Sequence, residues 1–273
     1  MTSTPIITLL TDFGGRDAYV AAMKGVIATL APDAHIIDAA HDIPAHDIQA
    51  AAWTLMQYWS LYPKGTIHLA IVDPGVGTSR KALCIEADER LLIVPDNGIA
   101  SLAIEQAARF TPRALKPEVH RPGPVSPTFH GRDIFAYAAG LLLSGQKQLS
   151  DLTDPVAQIV TPPWAKARAT KLHIEGEIIH ADHFGNLITN ICRTQMPGPD
   201  WAIATVRIGA QMLLPIHLTY SDVPPGAILA LFGSTGTLEI AVNAGSAQTA
   251  LGCGRGTKIC VQKGILARTH TPA

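Results

Sequence analysis

Apolar and polar residues fall into short blocks along the first half of the chain, and the block lengths differ. Pro5 to Leu10 (PIITLL) is a compact apolar run of strand type that breaks at Thr11-Asp12-Phe13-Gly14-Gly15. From Ala18 to Leu30 the apolar positions Val20, Met23, Val26, Ile27 and Leu30 recur at helical spacing, and Pro32-Asp33 stops them. His35 to Asp38 reads as a second short strand and Ile48 to Tyr62 as a helix. Gly65 to Val72 (GTIHLAIV) is a third strand, running into Asp73-Pro74-Gly75. Ala82 to Ala87 and Leu91 to Pro95 pattern as a hairpin, and Gly98 to Ala108 and Asp133 to Ser144 as helices. Strands alternating with helices predict a mostly parallel sheet covered on both faces. The stretch from Pro112 to Pro127, with five prolines, reads as a surface loop.

The pattern changes after Thr161-Pro162-Pro163-Trp164. From Lys171 onward only short β-like runs remain: Gly176 to His180, Leu187 to Ile191, Ala204 to Ile208, Ala227 to Phe232, Leu238 to Val242 and Thr257 to Val261. Gly and Pro punctuate them, as in a sandwich or small barrel. The expectation is an α/β domain over residues 1–165 and a smaller all-β, barrel-like domain over 166–273.

Composition narrows the class of function. The 273 residues are 47% hydrophobic and only 5% aromatic, so Ala, Ile, Leu and Val must fill the cores. A net charge of −1 without a basic run argues against a nucleic-acid partner, since phosphate binding needs clustered Lys and Arg. Met1 to Ile7 lacks a basic segment followed by an apolar one, so no secretory signal is expected. The apolar run Ile134 to Leu143 is too short to cross a bilayer. Cys84, Cys192, Cys253 and Cys260 show no CxxC spacing and read as reduced core thiols of a cytoplasmic protein.

Three segments in the first half end on chemistry-bearing residues, and open α/β sheets bind ligands at the carboxyl ends of their strands. Asp12 and Asp17 flank a Gly-Gly turn. They suit ribose hydroxyls, an amine or a metal, or else one ends a strand and the other caps a helix. In Asp73-Pro-Gly-Val-Gly-Thr-Ser-Arg80 the glycines admit close backbone approach and Arg80 can return to Asp73, or the segment is a turn with a surface ion pair. It matches neither a Walker loop nor a dinucleotide fingerprint. His130 precedes Gly131-Arg132-Asp133 and is a candidate acid–base group or a plain loop residue. His41-Asp42 and His46-Asp47 resemble metal-ligand pairs, but a solvated loop is the preferred reading. In the second half, Asp182-His183-Phe184-Gly185-Asn186, Gly233-Ser234-Thr235-Gly236 and Asn243-Ala244-Gly245-Ser246 are loops able to offer backbone N–H groups to a ligand, or ordinary turns.

Six stretches, ITLLTDFGGRDAYVAAMKGVI, VDPGVGTSR, VPDNG, FHGRDIFA, ADHFGNLITNI and GSTGTLEIAVNAGSA, occur in order across residues 6–246. Together they resemble the SAM hydroxide adenosyltransferase family, related to the SAM-dependent fluorinase and chlorinase. The resemblance implies an α/β domain, a β-barrel domain, and a homotrimer whose sites lie between the N-terminal domain of one subunit and the C-terminal domain of the next. It implies cleavage of S-adenosyl-L-methionine to adenosine and L-methionine by a water-derived hydroxide, with no cofactor and no metal. It places the family's Asp, Arg and His triad, absent from the halogenases, at Asp73, Arg80 and His130. It also places a ribose contact at Asp12, methionine contacts at Asp17, Asp182 and Ser234, and adenine contacts at Phe184, Asn186 and Ala244. Thr235 departs from the fluorinase, which has Arg there. Three other readings stand beside this one: a halogenase, a metal-dependent phosphohydrolase, and a non-catalytic adenosine- or SAM-binding module.

Overall fold

In a computed structural model, residues 4–162, 164, 166–198, 201, 203–209 and 212–264 are described, and the chain divides into two compact units, Met1–Pro162 and Pro163–Ala273.

The first unit is built on a seven-stranded sheet. Its strands are β1 (Ile6–Thr11), β2 (His35–Ala40), β3 (Ile67–Ile71), β4 (Ala82–Ala87), β5 (Arg90–Pro95), β6 (Phe110–Leu115) and β7 (Thr153–Pro155), in the order β2-β1-β3-β5-β4-β6-β7. The run β2-β1-β3-β5 is parallel, and β4, β6 and β7 extend it antiparallel. Alternation sorts the side chains. Ile7, Leu9, Ile67, Leu69 and Ile71 pack with Met23 and Ile27 of helix α1 (Tyr19–Leu30) and Ala139 of α4 (Tyr137–Leu143). Leu10, Ala70 and Val72 face the other way, onto Ala51, Leu55 and Trp59 around α2 (Ile48–Tyr58) and Ala103 of α3 (Ser101–Gln106). Burial on both faces explains why these strands read as nearly continuous apolar runs. Gly140 lets α4 approach α1, because a Cβ there would sit 2.9 Å from Leu30 Cβ.

This winding creates the crevice. The chain leaves β1 through α1 to reach β2, then crosses the opposite face through α2 to reach β3 on the other side of β1. The loops after β1 and β3 therefore diverge at a switch point, where such sheets bind ligands.

Two local departures from the sequence pattern matter here. The first part of the proline-rich stretch is strand β6, not loop: Pro112 keeps an acceptor, and its carbonyl takes the Val156 N–H. The helix expected from Asp133 begins two residues earlier as a π-helical turn, Gly131–Ala136, before α4.

The second unit is a closed barrel. After the short β8 (Arg168–Ala169) come β9 (His173–Ala181), β10 (Leu187–Cys192), β11 (Thr205–Ile208), β12 (Met212–His217), β13 (Ile228–Phe232), β14 (Thr237–Val242) and β15 (Lys258–Gln262). They run β10-β14-β13-β12-β11-β15-β9, and β9 pairs with β10 to close seven strands. Closure removes exposed edges. Ile174, Ile178, Leu187, Ile191, Val206, Ile240 and Val261 fill the interior.

Candidate functional site

Asp73 stands just beyond the end of β3 and Asp12 just beyond β1, on adjacent strands. Both line a cavity of about 300 Å³ together with Phe13, Tyr19, His46, Val76, Phe129 and His130. Arg80 returns from the far end of the Asp73 loop. Its Nε donates to Asp73 Oδ1 at 3.0 Å and to Oδ2 at 2.9 Å, and its Nη2 also bonds Oδ2. The two side chains are 10% and 6% exposed, so the pair is far from a surface ion pair. Gly77 makes the fold of this loop possible: its φ is +80°, and a Cβ would meet the Pro127 carbonyl oxygen at 2.6 Å.

The same guanidinium reaches His130, with Nη2 3.1 Å from Nδ1, and lies over the Phe135 ring at 5.1 Å. Asp73, Arg80 and His130 are thus one connected set. Burial, then the Arg80 charge, lowers the His130 pKa, and Asp73 and Asp133 only partly offset this. The imidazole is therefore neutral near pH 7. Asp133 secures the segment behind it. Its buried carboxylate takes bonds from Arg132 (2.7 Å), Arg121 (3.1 Å) and the Ser126 N–H (2.9 Å), which hold it ionised far below the usual carboxylate range despite its burial. Phe13, Tyr19 and Phe129 form a packed trio on the cavity wall, with centroids 5.2–6.0 Å apart and Phe129 edge-on to the other two. Sequence reasoning missed this trio. The available signal was the placing of scarce aromatics inside TDFGG, DAY and TFHG.

The barrel carries a separate concavity of about 600 Å³, lined by Phe184, Asn186, Tyr220, Val242, Asn243, Ala244, Gly245 and Ser246. Phe184 is 72% exposed there, an unusual setting for a phenyl ring. Ala244 has φ +57°, and the next residue is Gly245. Tyr220, also missed, donates its hydroxyl to the buried Glu239 at 2.6 Å.

Four candidates line neither cavity: Arg80, which sits behind Asp73 and His130, and the three that follow. Asp17 is exposed on the loop before α1. Asp182 shapes its own turn, accepting the Phe184 and Asn186 N–H groups at 2.9 and 2.8 Å and the Asn186 side-chain amide at 3.0 Å. Ser234 is exposed in the β13–β14 turn. The histidine pairs do not assemble as a ligand set. His41 has both ring nitrogens engaged, and Asp47 caps α2 through the Ala50 N–H.

Known proteins match this chain in sequence and in fold. Residues 7–153 match the model of the SAM hydroxide adenosyltransferase N-terminal domain, and residues 176–260 match that of its C-terminal domain. An (R)-S-adenosyl-L-methionine hydrolase of Thermus thermophilus is 37% identical over 93% of this chain and 98% of its own. A fluorinase of Nocardia brasiliensis is 26% identical over 89% and 91%. The crystal structure of an uncharacterized conserved protein from Thermotoga maritima superposes with a TM-score of 0.84 at 32% identity, covering 94% of this chain and all of that one.

Proposed function

The chain belongs to the SAM hydroxide adenosyltransferase family, and on that premise we infer that it is an S-adenosyl-L-methionine hydrolase releasing adenosine and L-methionine. One observation carries the mechanistic reading: Arg80 bridges Asp73 and His130, and both of those line the cavity.

Arg80 has no lone pair, so His130 Nδ1 accepts its N–H and the neutral imidazole carries its proton on Nε2. That Nε2–H donates to the oxygen of a water in the cavity. Three Arg80 contacts occupy Asp73, two of them on Oδ2, which leaves Oδ1 with lone-pair capacity for the water's proton. The water oxygen forms its bond to C5′, the C5′–S pair departs onto sulfur, and a neutral thioether leaves, so no general acid is required.

The difficulty lies in the nucleophile, because bulk water has a pKa near ~15.7. Bond formation to carbon acidifies the attacking oxygen, and a carboxylate then suffices to take its proton as the bond forms. Arg80 steadies the negative charge shared between oxygen and Asp73. Because Asp73 balances Arg80, the guanidinium does not repel the sulfonium. The Asp73 carboxylate also disfavours a halide at this position, which argues against the halogenase.

Asp12 is assigned to the ribose hydroxyls. Phe184, Asn186 and Ala244 are assigned to adenine, supported by their shared concavity. Asp17, Asp182 and Ser234 are assigned to the methionine end on the resemblance alone, with Thr235 altering carboxylate binding relative to a fluorinase. The substrate epimer is taken as (R) at sulfur, after the Thermus relative. No cofactor enters the scheme, and a homotrimer and cytoplasmic residence complete it. Among the described residues no helix is long and apolar enough to cross a membrane.

The test incubates the protein with each sulfonium epimer and EDTA, reading adenosine and methionine by chromatography, with mass read by light scattering. Both products from the (R) epimer, unaffected by EDTA, and a trimer mass are expected. Binding without turnover points to the binding module, and loss of activity in EDTA points to a metal enzyme. Either result overturns the proposal.

A further inference from the structure

The histidines of His41-Asp42 and His46-Asp47 take no part in this chemistry, yet His46 bonds Asp12 through its backbone and His41 holds the residues on either side of it. Thr11, fully buried at the end of β1, accepts the Phe13 N–H on its hydroxyl oxygen at 3.2 Å, which closes a turn over Asp12. The same oxygen is 2.8 Å from His41 Nδ1, and His41 Nε2 is 2.9 Å from Asp38 Oδ1. Lys24 binds the other Asp38 oxygen at 2.6 Å. Burial works to raise the Asp38 pKa, but the bonds from His41 and Lys24 outweigh it and the carboxyl is held below its ordinary value.

An ionised carboxylate only accepts, so His41 donates from Nε2 to Asp38, and in the tautomer with its one ring proton on Nε2 the Nδ1 accepts a hydrogen bond from the Thr11 hydroxyl. The direction of the chain from Phe13 through Thr11 and His41 to Asp38 is therefore set. The His41 carbonyl also accepts the Gly14 N–H at 2.7 Å, anchoring the loop beyond Asp12. On the other side, the His46 N–H donates to Asp12 Oδ2 at 2.9 Å, from a backbone at φ +66°. Non-glycine residues rarely adopt that conformation, and it persists where surrounding contacts hold it.

We propose that Thr11 and His41, with the His46 backbone, are positioning residues that fix the Asp12 carboxylate for the two adjacent hydroxyls of a ribose. The proposal rests on the reading of Asp12 as the ribose residue. Two hydroxyls can be gripped together only if the carboxylate is held in one orientation, and here the turn and the N–H constrain it from both sides. The network thereby governs selection of ribonucleosides over 2′-deoxyribonucleosides, while touching neither substrate nor reacting atoms through Thr11 or His41.

Calorimetric titration with adenosine and 2′-deoxyadenosine tests this. The wild-type protein should prefer adenosine by about tenfold or more, the scale of one charge-assisted hydrogen bond. Asp12→Ala should abolish the preference. Thr11→Val, isosteric but without the hydroxyl, should cut it to about twofold while the variant stays folded. Thr11→Ser should restore it, and the Asp12→Ala, Thr11→Val double variant should bind no more weakly than Asp12→Ala alone. If Thr11→Val and His41→Leu keep the full preference while Asp12→Ala loses it, the positioning role is overturned. If Asp12→Ala itself keeps the preference, the ribose assignment fails first.

Discussion

Replacing Arg80 by Met separates the structural and chemical contributions of the triad. Arg80 and Asp73 are 10% and 6% exposed at their side chains. Removing the guanidinium leaves a nearly buried carboxylate without its three N–H contacts. Breaking a buried pair from one side costs about 3–5 kcal/mol, and water entering from the cavity places this case at the lower end, near about 3 kcal/mol. For a unit of this size that is a fall of roughly 6–12 °C in the thermal midpoint. The double variant Asp73→Leu, Arg80→Met removes both charges and should recover most of the loss, because exchanging a whole buried pair for apolar groups is often close to neutral. Turnover should behave differently. With no cation at the nucleophile site, Arg80→Met should lose about 10²–10³ in kcat, and the double variant should stay equally inactive despite its recovered stability. Circular-dichroism melts and adenosine release, assayed well below the midpoint, read the two effects separately. A single variant with the wild-type midpoint, or a double variant that regains turnover, would refute the argument.

Other expectations follow from the same geometry. Burial and Arg80 depress the His130 pKa, and the reactive form is the neutral one, so activity should hold from pH 8 to 7. It should fall only as the pH drops below the ordinary imidazole value of about 6.5. A kcat/KM profile checks this, and an acid limb with a midpoint above that value contradicts it. His68 is buried beside Thr8, Tyr58 and Tyr62, and burial and then the Arg90 charge push its pKa down to about 4. The unfolded chain therefore binds a proton first. The associated stability is complete above about pH 6.5, is lost progressively between 6.5 and 4, and totals about 3 kcal/mol. Urea unfolding against pH should show that slope, and His68→Phe should flatten it.

The parallel strands and the barrel were legible because burial on both faces, or alternation around a closed core, leaves a direct mark on apolar spacing. Strand β6 was not, because Pro112 and Pro117 look like loop residues when the sheet position of a proline is unknown. The helix expected over Gly98 to Ala108 shrinks to Ser101–Gln106, since Asn97 bonds the Val72 carbonyl and the Ile99 N–H and Gly98 takes φ +97°. At the site, an Arg seven residues after an Asp suggested a return contact. Nothing in the spacing could tell a buried fork from a surface pair, and only the family resemblance joined His130, fifty residues further on. The His41 and His46 pairs read as a solvated loop with a passing likeness to metal ligands, because side-chain type is visible in a sequence, whereas the bond from the His46 backbone N–H to Asp12 and the contact of His41 with the Thr11 hydroxyl are not.

The most direct measurement is a single incubation with S-adenosyl-L-methionine in ¹⁸O-water containing chloride, with mass analysis of the nucleoside. Attack on C5′ by a water held at Asp73, Arg80 and His130 predicts adenosine carrying one ¹⁸O at the 5′ position beside unlabelled methionine. 5′-Chloro-adenosine, or adenosine without the label, would contradict the account.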